Sequence, residues 1–544
     1  MAYLRTTASL CTLFALLLFF LLPGFAQPEM LPPSYSADDR GLYIEPPDTE
    51  QVTALLAQLT NPEATVRLEA ARQLILAHDP RIVEPLIAAL DDPDRAVKKA
   101  VIDALRMQHN MRAVEPLLAV LAGPDGMLRQ NAINALAAIK DPRVIPPLLT
   151  ILSQGDPLSQ RFAAQALPGF GDPRAMPPLI EALQVGKSAG LRASAASALG
   201  TLKDPRAVEP LFAALKDRDD LVRTSALSAL SSFPSERVVT TEIGLLNDPS
   251  PGIRRTAIRA LGFNGDARTV EALLPFCGDK DVQLRREAIR ALGRLQDPRV
   301  SDPLMKALHD ADNSVRYFAL LVLKGKRDIQ TVPAITEATH DPISRISLTA
   351  HGALALMGNA ESLEILLAAM QDANPSRRWY ATENLRGITD SRALRALAEA
   401  VGDANQDVRH AAAWGLQGTM DPNTIDRLMV WVKTGAPSPR RNAVFALVNT
   451  TDPRALDALV AAISDPEADM SREGGLAWSE LRIQAAQSLG KLKDRRAVTP
   501  LITALVSADK GSKSAIAQAL KDITGQDFGD DAGKWRAWWE TQAK

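Results

Sequence analysis

Between residues 48 and 525 the apolar positions fall into short stretches of helical period, each closed by a polar turn, and one stretch recurs at a step of 31 residues. Its most regular part begins at a basic residue. Ala follows three positions later and Leu seven positions later, as in Arg254, Ala257 and Leu261, or Arg285, Ala288 and Leu292. Ala holds its place in 13 of 15 copies and Leu in 14 of 15, so the pattern is structural rather than local. The one Leu exception, Pro168, stands in a copy that has lost a residue before Asp172. Offsets of three and seven share one face of a helix. That face is expected to be buried, with Ala letting neighbouring helices approach closely.

A second helix is expected ahead of the first in every copy. Asp-Pro-Arg opens it at Asp79, Asp141, Asp172, Asp204, Asp297 and Asp452, with degenerate forms at Asn110, Asp266, Asp390 and Asp421. Asp is a good N-cap, and Pro suits the first helical position because its missing N–H would be unpaired there anyway. Another Pro five residues on (Pro85, Pro116, Pro147, Pro178, Pro210, Pro303, Pro500) predicts a kink or a restart, since it removes a backbone hydrogen bond. A self-similar period of this length is the mark of a repeat array.

The first half of a unit is spelled out by Asp204-Pro205-Arg206-Ala207-Val208-Glu209-Pro210-Leu211, and the second by Ile253-Arg254-Arg255-Thr256-Ala257-Ile258-Arg259-Ala260-Leu261-Gly262. These stretches resemble the HEAT-like repeats of the phycobilisome-lyase type. The resemblance covers residues 48–525 and implies an all-α, right-handed solenoid of about fifteen two-helix units. It is specific for fold and carries little about activity, because such repeats serve many roles.

The flanks differ from the array. Residues 1–26 carry one positive charge at Arg5, an apolar stretch Leu10–Leu22, and small residues at Gly24 and Ala26, the three parts of a secretory signal peptide cut before Gln27. The apolar core is shorter than the ~20 residues a membrane span needs, so export without stable membrane insertion is expected. Residues 27–47 hold five Pro and read as a linker. An acidic insertion near 464–479, with Asp465, Glu467, Asp469 and Glu473, delays the last Asp-Arg-Arg turn by 11 residues. The segment 526–544 places Trp535, Trp538 and Trp539 on one helical face, where a terminal unit needs a lid.

Charge and chemistry narrow the function. The formal net charge is −2, and cleavage at Gln27 would remove one Arg and no acid, so the global basic balance of a nucleic-acid binder is missing. Only Cys277 would remain, which forbids an internal disulfide. The repeated basic residue lies six positions after an acid or Asn in many units (Asn61 before Arg67, Asp372 before Arg378), and the family resemblance implies that such pairs tie neighbouring units together. The HEAT-repeat enzyme deoxyhypusine hydroxylase holds iron through His-Glu pairs. None of His78, His109, His309, His340, His351 and His410 is followed by Glu, so these histidines read as turn residues and no metal or cofactor is expected. No phosphate loop or nucleophile elbow is present. A non-enzymatic scaffold is expected, with a lyase-type subunit of an enzyme complex as the alternative.

On a helical wheel the residues one and five positions after the repeated basic residue point away from the buried Ala and Leu. In a HEAT solenoid this side lines the concave surface. Between residues 250 and 450 it carries Arg255, Arg259, Arg286, Arg290, Tyr317, Trp379, Glu383, His410, Trp414, Arg441 and Phe445. Earlier units offer Ala193, Ser197, Thr224 and Ser228 there. Large aromatics and Arg dominate binding hot spots. The expected function is therefore capture of a protein or peptide in this groove.

Overall fold

In a computed structural model, which describes residues 49–77, 79–264, 267–295, 297–464, 478–508 and 510–542, each unit starts on a capped turn. Residues 1–26, the linker 27–47, His78 and positions 465–477 of the acidic insertion lie outside the described residues. The Asp79 side chain accepts a hydrogen bond from the Arg81 backbone N–H and starts a 3-10 turn, Pro80–Ile82, that runs directly into the α-helix Val83–Ala88. Pro85 is the third residue of that helix, and Pro116, Pro210 and Pro303 hold the same place in theirs. A first-turn N–H has no partner within its helix, so the second Pro restarts the helix without kinking it.

Fifteen such helix pairs follow one another among the described residues, from Thr49–Gln58 with Ala64–Leu74 to Val498–Ser507 with Lys510–Thr524, and no described residue is in a strand. All lie in one compact unit, Pro46–Lys544. Several second helices end on a residue in the left-handed conformation, such as Lys140 (φ 59°), Lys203 (φ 52°) and Arg327 (φ 53°), which turns the chain into the next Asp cap.

Second helices of adjacent units pack more closely on one another than first helices do. Their contact is built from the end of the Ala-Leu-Gly motif. A Cβ placed on Gly262 would lie 2.7 Å from the Cα of Ala291 in the next unit, and one on Gly200 would lie 2.7 Å from the Cβ of Ala229. Tight packing along one row and looser packing along the other make the second helices the inner side of the stack.

The repeated basic residue works at the turns. Arg285 donates through Nη1 to the carbonyl of Asp279 in its own unit, and through Nε and Nη2 to both carboxylate oxygens of Asp310 in the next, at 2.8 and 2.9 Å. Arg67 with Asp92, Arg192 with Asp217, Arg316 with Asp341 and Arg378 with Asp403 repeat the arrangement. Each acid in turn accepts from a backbone N–H two residues on, as Asp310 does from Asp312. Ser347 stands where Arg would be, and Asp372 there turns to Arg377 at 3.2 Å. A thinner row joins first helices, with Arg143 reaching Glu115 and Arg299 reaching Glu271.

The last helix, Ala532–Gln542, lies against Val498–Ser507, where the first helix of a further unit would go. Trp535 is fully buried and its indole N–H donates to the Gly529 carbonyl at 2.8 Å. The Trp539 indole N–H donates to Thr499 Oγ1 at 3.0 Å.

Candidate binding face on the inner helices

The inner positions of five units are partly or fully exposed. From Pro251–Asn264 come Arg255 and Arg259, both exposed. Val282–Arg294 adds Arg286 and Arg290, both half-buried, and Asn313–Lys326 adds half-buried Tyr317. Trp379 and Glu383 sit half-buried on Pro375–Leu385. Trp414, on Gln406–Leu416, is 42% exposed.

Two contacts between units share one register, in which the fifth position of one unit meets the second position of the next. Arg259 reaches Glu287 at 3.4 Å by this rule, and the Arg290 guanidinium lies 3.8 Å from the centre of the Phe318 ring. Residues outside the two positions followed in the sequence join them. Arg294 stacks on Phe263 at 4.3 Å, and Arg345 stacks on Tyr317 at 3.5 Å. Phe263 is itself 48% exposed. All three newcomers were within reach of the same wheel, since positions nine after and two before the basic residue point the same way as positions one and five. What the wheel does not hold is which ring lies under which guanidinium.

Two patches result, not one continuous surface. The unit Ser344–Leu356 interrupts it, because Leu348 is buried and Gly352 presents no side chain. The Asn384 side chain fills that space, and the Lys324 ammonium, two units back, donates to Asn384 Oδ1 at 2.6 Å. Burial pulls the Lys324 amine down to about 8, against the attraction of Glu383. Trp379 packs edge-on against Tyr380 at 5.0 Å on the far side of this bridge.

The second patch is an aromatic corner. The Trp414 indole N–H donates to His410 Nε2 at 2.8 Å, and since indole only donates, His410 is the neutral tautomer with its proton on Nδ1. His410 stacks on Phe445 with ring centres 6.3 Å apart, and Trp414 meets the same ring edge-on at 5.0 Å. Burial, helped by Arg441 and Arg386, pulls the His410 pKa below its usual value against Asp407 and Glu383.

Arg441 and Phe445 were expected to face the groove and do not. Arg441 is 5% exposed and Phe445 3%, and every residue from 441 to 448 is buried. The helix Pro437–Leu447 is enclosed along its second half on all sides, so a position directed away from the Ala and Leu face is covered there too. Phe445 serves as the floor under His410 and Trp414.

The family described as HEAT repeats matches residues 52–125, 114–200, 177–241, 242–324, 301–386 and 393–477, and the one described as the PBS lyase HEAT-like repeat matches residues 481–507. The chain belongs to the HEAT-repeat family. Its repeats are of the PBS-lyase-like type. No curated protein matches it by sequence. Among solved structures, yeast importin-β (Kap95p) is similar over 91% of this chain and 79% of its own, at 13% identity and a TM-score of 0.50. Kap121p is similar over 91% and 69%, at 12% identity and a TM-score of 0.50. Human deoxyhypusine hydroxylase aligns with 45% of this HEAT-repeat chain and 96% of its own, at 22% identity and a TM-score of 0.22. The first two likenesses agree on an all-α solenoid.

Histidines of this HEAT array take up local hydrogen bonds. His109 ends a helix in the left-handed conformation, with Nδ1 3.0 Å from the Ala138 carbonyl, and His351 Nδ1 lies 3.2 Å from Ser362 Oγ. Among the described residues no three His, Cys, Asp or Glu side chains come together to hold a metal. Burial pushes the Cys277 thiol up to about 11, which keeps it protonated and poorly nucleophilic at neutral pH.

Proposed function

We propose that this HEAT-repeat protein is an exported, non-enzymatic scaffold that captures a protein partner on the inner face of residues 250–420. HEAT solenoids generally bind protein partners. One observation carries the choice of face: among the described residues Phe263 at 48% and Trp414 at 42% are the exposed large aromatic side chains, and both lie on this row together with Leu321 at 36%. Arg255 and Arg259 lie exposed beside them. Aromatic anchors next to Arg are the composition of interface hot spots. Export is part of the reading because residues 1–26 have the charge, apolar core and small residues of a signal peptide. No described helix is long and apolar enough to cross a membrane.

Trp414→Ala tests the face. A Trp at a hot spot contributes about 2 kcal/mol or more, so partners captured by the wild-type protein should bind roughly thirtyfold more weakly, with little change in melting. An unchanged partner set with intact folding would remove this face from consideration. Mass spectrometry of the native protein should find a mature terminus at Gln27, and an intact Met1 in a membrane fraction would end the export reading. The alternative of a lyase-type subunit rests on the repeat at 481–507 alone; a bound chromophore on the native protein would favour it.

A further inference from the structure

Pro251–Asn264 and Val282–Arg294 gather five guanidinium groups on their inner side. Arg255 and Arg259 stand one turn apart on the first helix, and Arg286, Arg290 and Arg294 occupy three successive turns of the second. One carboxylate lies among them. Glu287 is buried and is approached by Arg259 at 3.4 Å and Arg290 at 3.9 Å. Arg294 Nε and Nη1 are buried without a hydrogen-bond partner. The planes of Arg290 and Arg294 are held against Phe318 and Phe263, which fixes their direction without using their N–H donors. Burial lowers both groups from the usual arginine value, against the attraction of Glu287 and with a smaller push from the neighbouring guanidiniums.

The dimensions suit a short extended chain. Arginines four residues apart on a helix are ~6 Å apart along its axis. Alternate side chains of an extended peptide are ~6.8 Å apart and point the same way. The cluster spans ~12 Å along Val282–Arg294 and ~6 Å along Pro251–Asn264, on helices ~10 Å apart, which covers about four extended residues. Exposed Phe263 and Leu321 border it and offer a place for an apolar side chain.

We propose that this cluster is the docking site for an acidic peptide segment of the partner, with two carboxylates at alternate positions and an apolar residue beside them. The inference rests on the inner-face reading above and names the chemistry of what binds there. The carboxylates would accept N–H groups of Arg259 and Arg290, whose side chains are 50% and 38% exposed, in forked pairs that Arg favours. A nucleic acid fits less well: the cluster contains a carboxylate, and the chain as a whole is negative at −2.

The test is fluorescence anisotropy at low ionic strength on the full chain, with three labelled probes: a Glu-Gly-Glu-Gly-Phe peptide, the same peptide with Gln for Glu, and a short single-stranded oligonucleotide. The Glu peptide should bind tightest and lose affinity with added salt. Arg290→Gln should weaken it about tenfold, the loss of one charge-assisted pair, with unchanged melting; if that variant folds poorly, exposed Arg259→Gln replaces it. Equal binding of the Gln peptide, tighter binding of the oligonucleotide, or no effect of the Arg variants would overturn the acidic-peptide site. Partners that depend on Trp414 but ignore the Arg variants would overturn it too, while leaving the inner-face function in place.

Discussion

Two arginines stand side by side on Val282–Arg294 and do different work. Arg285 faces the turns and gives its donors to an Asp279 carbonyl and the Asp310 carboxylate, so its charge is spent on joining two units. Arg290, five residues on, faces inward with other guanidiniums around it and an aromatic ring beneath it. At Arg67, Arg192, Arg285, Arg316 and Arg378 the turn side pairs its cation with the acid of the next unit, whereas the inner side gathers several guanidiniums around Glu287.

Substitution on that one helix separates the two roles. Arg285→Ala should cost the most, about 3 kcal/mol, because it leaves the largely buried Asp310 carboxylate without its partner. Denaturant unfolding should show it as an early local transition, since a solenoid is held by nearest-neighbour contacts; a loss below about 1 kcal/mol would mean that the ladder is ornamental. Next comes Gly262→Ala. Ala is normally better than Gly in a helix by about 1 kcal/mol, yet here its Cβ would meet the Ala291 backbone, so a net loss of about 1–2 kcal/mol is expected. A stabilised variant would show that the second helices are not in such close contact. Arg290→Gln should change stability by no more than about 0.5 kcal/mol, and upwards if mutual repulsion dominates.

The smallest effect is a local one at the aromatic corner. The folded state lowers the His410 pKa, so it favours the neutral ring; that contribution is complete above the unfolded value near 6.5 and is lost as pH falls through the lower folded value. A protonated Nε2 cannot accept from the Trp414 indole. Trp414 emission should therefore change on acidification below pH 6.5 while the ladder stays intact, and His410→Gln should abolish that change. The turn carboxylates hold on longer. Asp204 and Asp297, each bonded to the Arg two residues on, are lowered to about 2, so their contribution persists down to roughly pH 4 and disappears only towards 2.

Much of this was legible beforehand. The Asp-Pro-Arg caps recur in many units, and the Ala and Leu face and the ladder recur in most of them; a signal that recurs in register outweighs the ambiguity of any single copy. Arg441 and Phe445 show where such reading stops. They occupy the same wheel positions as exposed Arg255 and Arg259, and burial of the whole 441–448 stretch overrides the wheel. Gly352 stands at the fifth position of its unit, and the Asn384 side chain, bonded to Lys324, fills its place and splits the face in two.

The chain itself determined every property that one unit can express alone: where each helix starts, which stripe is apolar, and which residues point inward. Those follow from backbone capping and from a period of 3.6 residues, both local. Only the tertiary structure decided which inward residues meet. Arg259 finds Glu287, Arg290 finds Phe318 and Arg345 finds Tyr317 because adjacent helices slide into one register, and that register is set by how near Gly262 lets Ala291 come. Contacts between units depend on packing distances that no single repeat encodes.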